Sequence, residues 1–352
     1  MSFDLSVPTS PKIQGVVARM DRLKRSFPTG LGPDDPRLLE IERSATVQTV
    51  AASCRLSGIR ISDDEADAVI RGATIAVADA AAVRGTLAAL SFPIGEDGRL
   101  LAAVDLGRLN AVVRGEADPA GPVPPSPWRT TPVHCEAFDC SGHATGRVIP
   151  ILPPRMIPGK LEDLLTWFEM EMRAPERHAV PTIGALALGL MAVSPFERGN
   201  GRTIRTLTRH LLLRAGYLYT PYASIEGEME SLRETYYEAF DQAQAGIWAG
   251  TAEIDPWLDY LAEVLDRHRA RADSRLREES AATDLSPLQL AILTAVREHG
   301  TVDAGLLLKS TGANRNTLKD NLRRMVDRGV LERSGQRRTA RYRLAAESES
   351  KP

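Results

Sequence analysis

The sequence has little cysteine, few aromatic residues and no long apolar run, and each shortage excludes a class of protein. Three cysteines in 352 residues cannot build a disulfide framework, so we expect a protein of the reducing cytoplasm. No run approaches the roughly 18 apolar residues of a membrane span, and the start of the chain shows no charged segment followed by an apolar one. We therefore expect neither a membrane protein nor a secretory signal. The net charge of −2 excludes a uniformly basic nucleic-acid coat.

What the sequence does have is apolar residues in helical patterns. A hydrophobic share of 43% is ample for the cores of two or three domains. Apolar residues recur at helical spacing over 36–56, and a second helical stretch, 62–90, begins with Ser62 as an N-cap followed by acidic residues. The proline-rich segment 115–134 predicts an irregular connection and a domain boundary.

A short extended element and three helices are predicted after this boundary. Segment 146–159 contains β-forming Val148, Ile149 and Ile151, and its prolines restrict it to an edge strand or hairpin. Segments 160–172 and 180–193 predict helices, and the second has so few polar residues that we expect it in the centre of the core. A further helix follows to Tyr217, with Gly216 as its C-cap.

A small group of histidines and cysteines precedes the hairpin. These residues, His134, Cys135, Cys140 and His143, are all of types that bind zinc. Adjacent His134 and Cys135 can hardly bind the same ion, and the spacing matches no common zinc site. A loop that happens to carry these residues is favoured over a metal site.

The stretch SPFERGNGRTIR, Ser194–Arg205, separates the two apolar helices and predicts an anion site. Gly199, Asn200 and Gly201 can adopt conformations in which several N–H groups converge at the start of the next helix. Arg202 and Arg205, three residues apart, place two guanidinium groups on the same side, which suits a polyphosphate better than a carboxylate. The alternative is a glycine-rich connection with surface arginines.

This stretch resembles the signature of the Fic family, H-P-F-x-[DE]-G-N-G-R-x-x-R, whose members mostly transfer AMP from ATP to a hydroxyl of a target protein. The resemblance covers roughly residues 40–345 and includes the hairpin segment and the helices after residue 224. It implies a mainly α-helical Fic bundle with a short β-hairpin flap, a protein target or partner at the flap, and ATP or another nucleotide bound at Gly199–Arg205.

Two departures from the signature bear on catalysis. Ser194 stands where the family has the histidine that acts as general base, and a serine hydroxyl accepts a proton poorly at neutral pH. His210 lies too far along the next helix to replace it. Arg198 stands where the family has the acid that holds magnesium, and Glu197, one residue earlier, would point elsewhere. The resemblance therefore leaves magnesium binding doubtful.

A third departure concerns regulation. The segment SCRLSG, Ser53–Gly58, resembles the family's inhibitory helix, but Ser57 stands where its glutamate pairs with the second arginine of the signature. Arg205 would then lose its usual restraint. The leading interpretation is a catalytically impaired protein that still binds a nucleotide or phosphate. The alternative is a divergent protein adenylyltransferase or related nucleotidyltransferase acting on a protein hydroxyl.

The C-terminal region is basic, in contrast to the rest of the chain. Residues 284–345 carry twelve Lys and Arg against six acids, and predict three helices with a tight turn between the last two, then two strands. This is the pattern of a winged helix-turn-helix. The predicted DNA-binding residues are Arg315, Asn316, Lys319 and Arg323 on the third helix and Arg337 and Arg338 on the wing. The alternative is a solvated helix on a domain for protein contacts or dimerisation.

These observations give a domain scheme. It comprises an N-terminal helical region 1–118, a Fic core 119–272, a linker 273–283, a winged helix-turn-helix 284–345 and a disordered tail 346–352. The sequence does not indicate an oligomeric state.

Overall fold

The computed structural model describes most of the chain, in residues 7, 10–27, 36–73, 80–95, 100–138, 143–174, 176–283, 286–335 and 340–345. Cys140, Arg337, Arg338 and the predicted tail 346–352 lie outside these residues. Within them the fold is mainly α-helical with a small β-hairpin, as predicted. None of the helices described is both long and apolar enough to cross a membrane. The chain divides into two compact units, Met1–Ser274 and Arg275–Pro352.

In the described part of residues 1–118, the first unit begins with five helices. They are α1 Pro11–Ser26, α2 Pro36–Arg55, α3 Asp63–Ile70, α4 Ala80–Ala89 and α5 Ala103–Val113. The predicted N-cap is present, because the Ser62 side chain accepts a hydrogen bond from Glu65 N and the Glu65 carboxylate accepts one from Ser62 N. The single helix predicted over 62–90 is wrong. Gly72 has φ +85°, a left-handed conformation in which a right-handed helix cannot continue, and α3 has already ended at Ile70.

Among the described residues, a hairpin and six helices follow, the last of which continues past Ser274 into the second unit. They are β1 His134–Phe138, β2 Ala144–Pro150, α6 Ile157–Arg173, α7 Ala179–Val193, α8 Asn200–Arg214, α9 Ile225–Ser231, α10 Arg233–Gln244 and α11 Asp255–Thr283. The predicted central helix is confirmed: every residue of α7 from Val180 to Val193 is buried, and α6, α8 and α10 pack against it. The segment 273–283, predicted as a linker, is the helical end of α11.

The hairpin has one inward and one outward face. Cys135 pairs with Ile149, which is fully buried, whereas the neighbouring pair of Glu136 and Val148 lies on the opposite face, where Val148 is 55% exposed. Successive strand residues point to opposite sides of a sheet. The hairpin therefore turns the Cys135 side chain toward the interior of the unit.

After the end of α11, the residues described in the second unit form three helices and a three-stranded antiparallel sheet. Its elements are α12 Pro287–His299, β3 Thr301–Asp303, α13 Ala304–Thr311, α14 Arg315–Asp327, β4 Leu331–Ser334 and β5 Arg341–Leu344, with strand order β3–β5–β4. Side chains of Asp303 and Asn314 cap α13 and α14. Residues that include Ile292, Val296, Leu307, Leu318, Leu322 and Met325 form the core.

Candidate functional site

The loop between α7 and α8 is a closed turn of the chain. It starts at Ser194, which has φ +40° and whose hydroxyl donates to Met191 O at 2.7 Å. Asn200 then clamps the turn, because its Oδ1 accepts from Phe196 N at 2.9 Å and its Nδ2 donates to Phe196 O at 2.7 Å. Gly199 has φ +81° immediately before α8. The loop shape thus depends on the side chain of Asn200 and on a glycine in the left-handed conformation.

The start of α8 presents free N–H groups. Among the residues that the structure describes, none accepts a hydrogen bond from the N–H of Gly199, Asn200 or Gly201. The first N–H groups of any α-helix lack partners inside the helix and favour negative charge. The geometry is that of a phosphate-binding helix start, and phosphate binding at these three residues stays a prediction.

Arg129 fixes the start of the loop from outside the signature. Its side chain is 2% exposed and donates to four backbone carbonyls, at 2.7 Å to Ser194 O, 3.1 Å to Val193 O and 3.0 Å to Thr131 O, with Leu152 O as the fourth. The guanidinium thus binds together the end of α7, the approach to β1 and the exit from β2. No sequence pattern indicates this role, since Arg129 lies in the proline-rich connection.

Arg202 faces the N-terminal helices. It is 7% exposed, and its Nη1 donates to Ala82 O at 3.1 Å and Thr86 Oγ1 at 3.3 Å on α4 and to Val113 O at 2.8 Å on α5. The residue also lines the cavity described below. Its side chain therefore holds α8 against α4 and α5, while its predicted contact with phosphate stays a prediction.

Arg205 is restrained by α2 although the glutamate of the family's inhibitory helix is missing. Its Nε donates to Ser53 Oγ at 3.1 Å, and its Nη2 donates to Ser53 O at 2.7 Å and to Ser57 Oγ at 2.8 Å. The usual restraint by a glutamate is thus absent, and two hydroxyls and a carbonyl of Ser53 and Ser57 contact the guanidinium instead. These partners are uncharged, and hydrogen bonds between a cation and a neutral oxygen are weaker than those to a carboxylate.

These residues meet at a cavity of about 400 Å³. One wall is polar and consists of the loop 197–202 together with Arg205 and Ser57. The rest is formed by β1 and by apolar and aromatic side chains, among them Leu56, Ile59, Met191, Ile204, Tyr236, Tyr237 and Phe240. An apolar cavity with a few convergent polar groups is the usual form of a small-molecule site.

The structure places neither Ser194 nor His210 as a base. Ser194 lines the cavity, but its hydroxyl proton is directed at Met191 O, 2.7 Å away. His210 does not line the cavity; its Nε2 donates to Ala89 O at 2.9 Å. Burial lowers the pKa of His210, which weakens it further as a proton acceptor.

The side chains around Arg198 do not fit magnesium. Glu197 Oε2 accepts from Thr131 Oγ1 at 2.7 Å, and Oε1 accepts from the N–H groups of Thr130 and Thr131 at 3.1 and 3.3 Å. The hydroxyl of Thr131, followed by these N–H groups, holds the pKa of Glu197 below its usual value. Both carboxylate oxygens thus already accept hydrogen bonds from residues 130–131, and Arg198 is the exposed neighbour on the cavity wall. Magnesium needs hard oxygen ligands, so we assign it no part in this site.

The histidine and cysteine group does not gather around an ion in the part of the chain that the structure describes. No set of three or more His, Cys, Asp or Glu side chains there is placed to hold a metal, and Cys140 is not among the residues described. Cys135 lies on the cavity wall, where burial raises its thiol pKa to about 11. His134 is exposed.

The predicted nucleic-acid face of the second unit is exposed. Arg315, Asn316, Lys319 and Arg323 are all exposed on α14, opposite the buried side of that helix. Arg323 lies 3.7 Å from Asp327 in an exposed ion pair, which holds it weakly. These four side chains are available for contact with an anionic surface.

Comparison with known proteins points to one family. No family model matches the chain. Two curated relatives, both named protein adenylyltransferase Fic, are 30% identical: one from Culex quinquefasciatus over 166 residues (46% of this chain, 27% of the relative), and one from Drosophila mojavensis over 158 residues (44% and 27%). The chain spans about a quarter of the length of these relatives.

Solved structures show the same fold. A Fic family protein from Desulfovibrio desulfuricans matches with a TM-score of 0.60 and 19% identity over 97% of this chain and 98% of that protein. Fic-1 from C. elegans matches with a TM-score of 0.57 and 20% identity over 76% of this chain and 73% of that one. These structures share the fold, the curated relatives share nearly a third of the aligned residues, and the loop from Ser194 to Arg205 keeps most of the signature. The chain therefore has the fold of Fic proteins and resembles them in the sequence of this loop.

Proposed function

We propose that this protein binds a nucleotide, ATP or a close relative, with the phosphates at the start of α8 and the base toward the aromatic wall. The observation that carries the proposal is the cavity of about 400 Å³, which has free N–H groups at Gly199–Gly201 on one side and Tyr236, Tyr237 and Phe240 on the other. The name adenylyltransferase carried by the curated relatives supports ATP as the ligand.

We further propose that AMP transfer is impaired and that the bound nucleotide acts as a regulator. A transfer step requires a group that removes the proton from the incoming hydroxyl. Ser194 cannot take this part, because its hydroxyl is a poor base and already donates to Met191 O. Charge on the phosphates would be neutralised by Arg198 and Arg205, since the oxygens of Glu197 are occupied.

A second candidate is a divergent protein adenylyltransferase. The feature that favours it is the survival of Gly199, Asn200, Gly201 and both arginines of the signature, since nucleotidyl transfer depends largely on positioning and charge neutralisation. In this case the target or partner protein would contact the exposed face of the hairpin, where Val148 is 55% exposed.

Calorimetry with ATP, with and without magnesium, tests nucleotide binding. We expect binding whose affinity does not require magnesium, because arginine side chains and backbone N–H groups contact the phosphates. No heat of binding under either condition would refute the proposal. Strict dependence on magnesium would contradict our assignment of Glu197 and Arg198.

Labelled ATP and a cell lysate separate the two candidates. The unaltered protein is compared with a double variant, Ser194→His with Arg198→Asp, which restores the family residues. We expect labelling of lysate proteins by the double variant alone. Strong labelling by the unaltered protein would refute impairment and favour the divergent transferase.

We also propose that the second unit is a winged helix that binds DNA through α14. The support is the exposed basic face of α14 on a unit with three helices and a small sheet. Replacing Arg315 and Lys319 by alanine should weaken DNA retention and reduce the slope of log affinity against log salt by about 2. A variant with Arg324 and Arg328 replaced removes the same charge from the other end of α14 and should retain DNA better. Equal loss in both variants, or no retention by the unaltered protein at low salt, would contradict the proposal.

A further inference from the structure

A buried asparagine of α5 touches the loop from the side opposite the cavity. Asn110 is fully buried, and its Nδ2 donates to Arg198 O and to Thr203 Oγ1, at 3.0 Å each. Thr203 Oγ1 in turn donates to Gly199 O at 2.9 Å. The Asn110 amide thus holds Arg198 O directly, across 88 residues of chain, and contacts Gly199 O through Thr203, whose backbone N–H also donates to Gly199 O at 3.0 Å.

We infer that Asn110 is a positioning residue for the nucleotide: it sets the peptide planes after Arg198 and Gly199 so that their N–H groups face the cavity. In a trans peptide the C=O and N–H groups point in opposite directions. The carbonyls of Arg198 and Gly199 point to the Asn110 side, so the N–H groups of Gly199 and Asn200 point the other way. Arg198, Gly199 and Asn200 line the cavity, and Asn110 does not.

The close approach of Asn110 also accounts for the glycine at the turn. A Cβ on Gly199 would lie 3.0 Å from Asn110 Nδ2 and 3.2 Å from Arg114 Cγ, and the residue has φ +81°. Both the conformation and the space therefore require glycine here. The amide of Asn110 thus occupies the space that a side chain at position 199 would need.

The other end of the amide shows that the NH₂ group is what the site uses. Asn110 Oδ1 is buried and has no hydrogen-bond partner among the described residues. A buried polar atom without a partner opposes folding. An apolar side chain of the same size would avoid this penalty but could not donate to Arg198 O. The residue is thus better suited to holding the loop than to packing.

Substitution of Asn110 by aspartic acid makes this role depend on pH. A protonated carboxyl can still donate to Arg198 O, whereas a carboxylate can only repel it, and burial raises the pKa of an introduced carboxyl. The experiment follows the amide resonance of Gly199 in ligand-free protein by glycine-selective isotope labelling, and ATP affinity by calorimetry, between about pH 5.5 and about pH 8.5. The unaltered protein and Asn321→Asp, the same change at a partly exposed asparagine of α14, are the controls.

In Asn110→Asp we expect the Gly199 resonance to be near its normal position at low pH and to move away as pH rises. ATP affinity should fall with it, by roughly tenfold or more relative to the unaltered protein. A Gly199 resonance and ATP affinity that follow the controls at every pH would overturn the inference.

The inference rests on the proposed nucleotide binding, and the two readouts separate their failures. If Gly199 titrates but the unaltered protein binds no ATP, the proposed function fails and the positioning of the loop stands. If Asn110→Asp does not fold, Thr203→Val removes one contact of the same amide and should shift the Gly199 resonance and weaken ATP binding at all pH values. Unchanged Gly199 and ATP binding in that variant would also overturn the inference.

Discussion

Replacing Arg129 by methionine should cost the first unit about 3 kcal/mol of unfolding free energy. Arg129 donates to four backbone carbonyls. The hydrogen bonds to Val193 O and Leu152 O are buried. A buried acceptor that loses its partner costs about 1–3 kcal/mol. Water can replace the contacts at Ser194 O and Thr131 O, because these residues are partly open to the cavity and the solvent. The loss of two buried hydrogen bonds lowers the unfolding free energy, and methionine recovers part of this because it carries no buried charge that must be desolvated. The difference is the stated value of about 3 kcal/mol.

Tryptophan fluorescence during urea unfolding measures this loss in the first unit alone. The four tryptophans, Trp128, Trp167, Trp248 and Trp257, all belong to that unit. Arg129→Lys keeps the charge but offers fewer donors, so its loss should be intermediate. Arg19→Met is the control: its ion pair with Asp266 is exposed, and about 1 kcal/mol or less is expected. A loss below about 1 kcal/mol in Arg129→Met would refute the claim that this guanidinium holds the buried carbonyls.

Three further substitutions test other parts of the first unit. Burial lowers the pKa of His268 from 6.5 to about 4. The stability that neutral His268 contributes is therefore present above about pH 6.5 and is lost as the pH falls toward 4. His268→Gln should remove about 3 kcal/mol of this pH dependence of the unfolding free energy, measured by urea unfolding. Ser57→Glu should pair with Arg205 and weaken ATP binding roughly tenfold in calorimetry, whereas neutral Ser57→Gln should weaken it less; equal affinities would show that Arg205 does not contact the ligand. Gly85→Ala places a Cβ 2.4 Å from a backbone oxygen of α5 and should lower the free energy of unfolding, measured by thermal denaturation, by about 2–3 kcal/mol. Gly159→Ala places its Cβ in open space and should not lower it.

The sequence is a good guide to elements that depend on local patterns. The apolar run of α7, the prolines and β-formers of the hairpin and the acidic residues after Ser62 each predict the element that is present. The single helix predicted over 62–90 failed because periodicity continues through Gly72, whereas the backbone there does not.

The candidate site was only half predictable, for a physical reason. The loop and its glycines are contiguous in sequence, so the pattern of residues indicates an anion site directly. Arg129 and Asn110 contact that loop across 65 and 88 residues of chain, and nothing in their own neighbourhood signals it. The partners of Arg205 are of the same kind: Ser53 of α2 and Ser57, two residues beyond the end of that helix, stand in for the glutamate.

The way in which the loop is anchored has a consequence for how the family signature can change. This chain departs most from the signature at Ser194 and Arg198. At both positions the contact from outside the loop is made to the backbone carbonyl, by Arg129 and by Asn110 respectively. These two contacts can therefore persist when the side chain changes, provided that the residue at position 194 tolerates its φ of +40°. The two positions that decide the chemistry can thus be substituted with little loss of folding stability. A lineage can therefore lose or regain a base or a metal ligand by single substitutions while the protein stays folded.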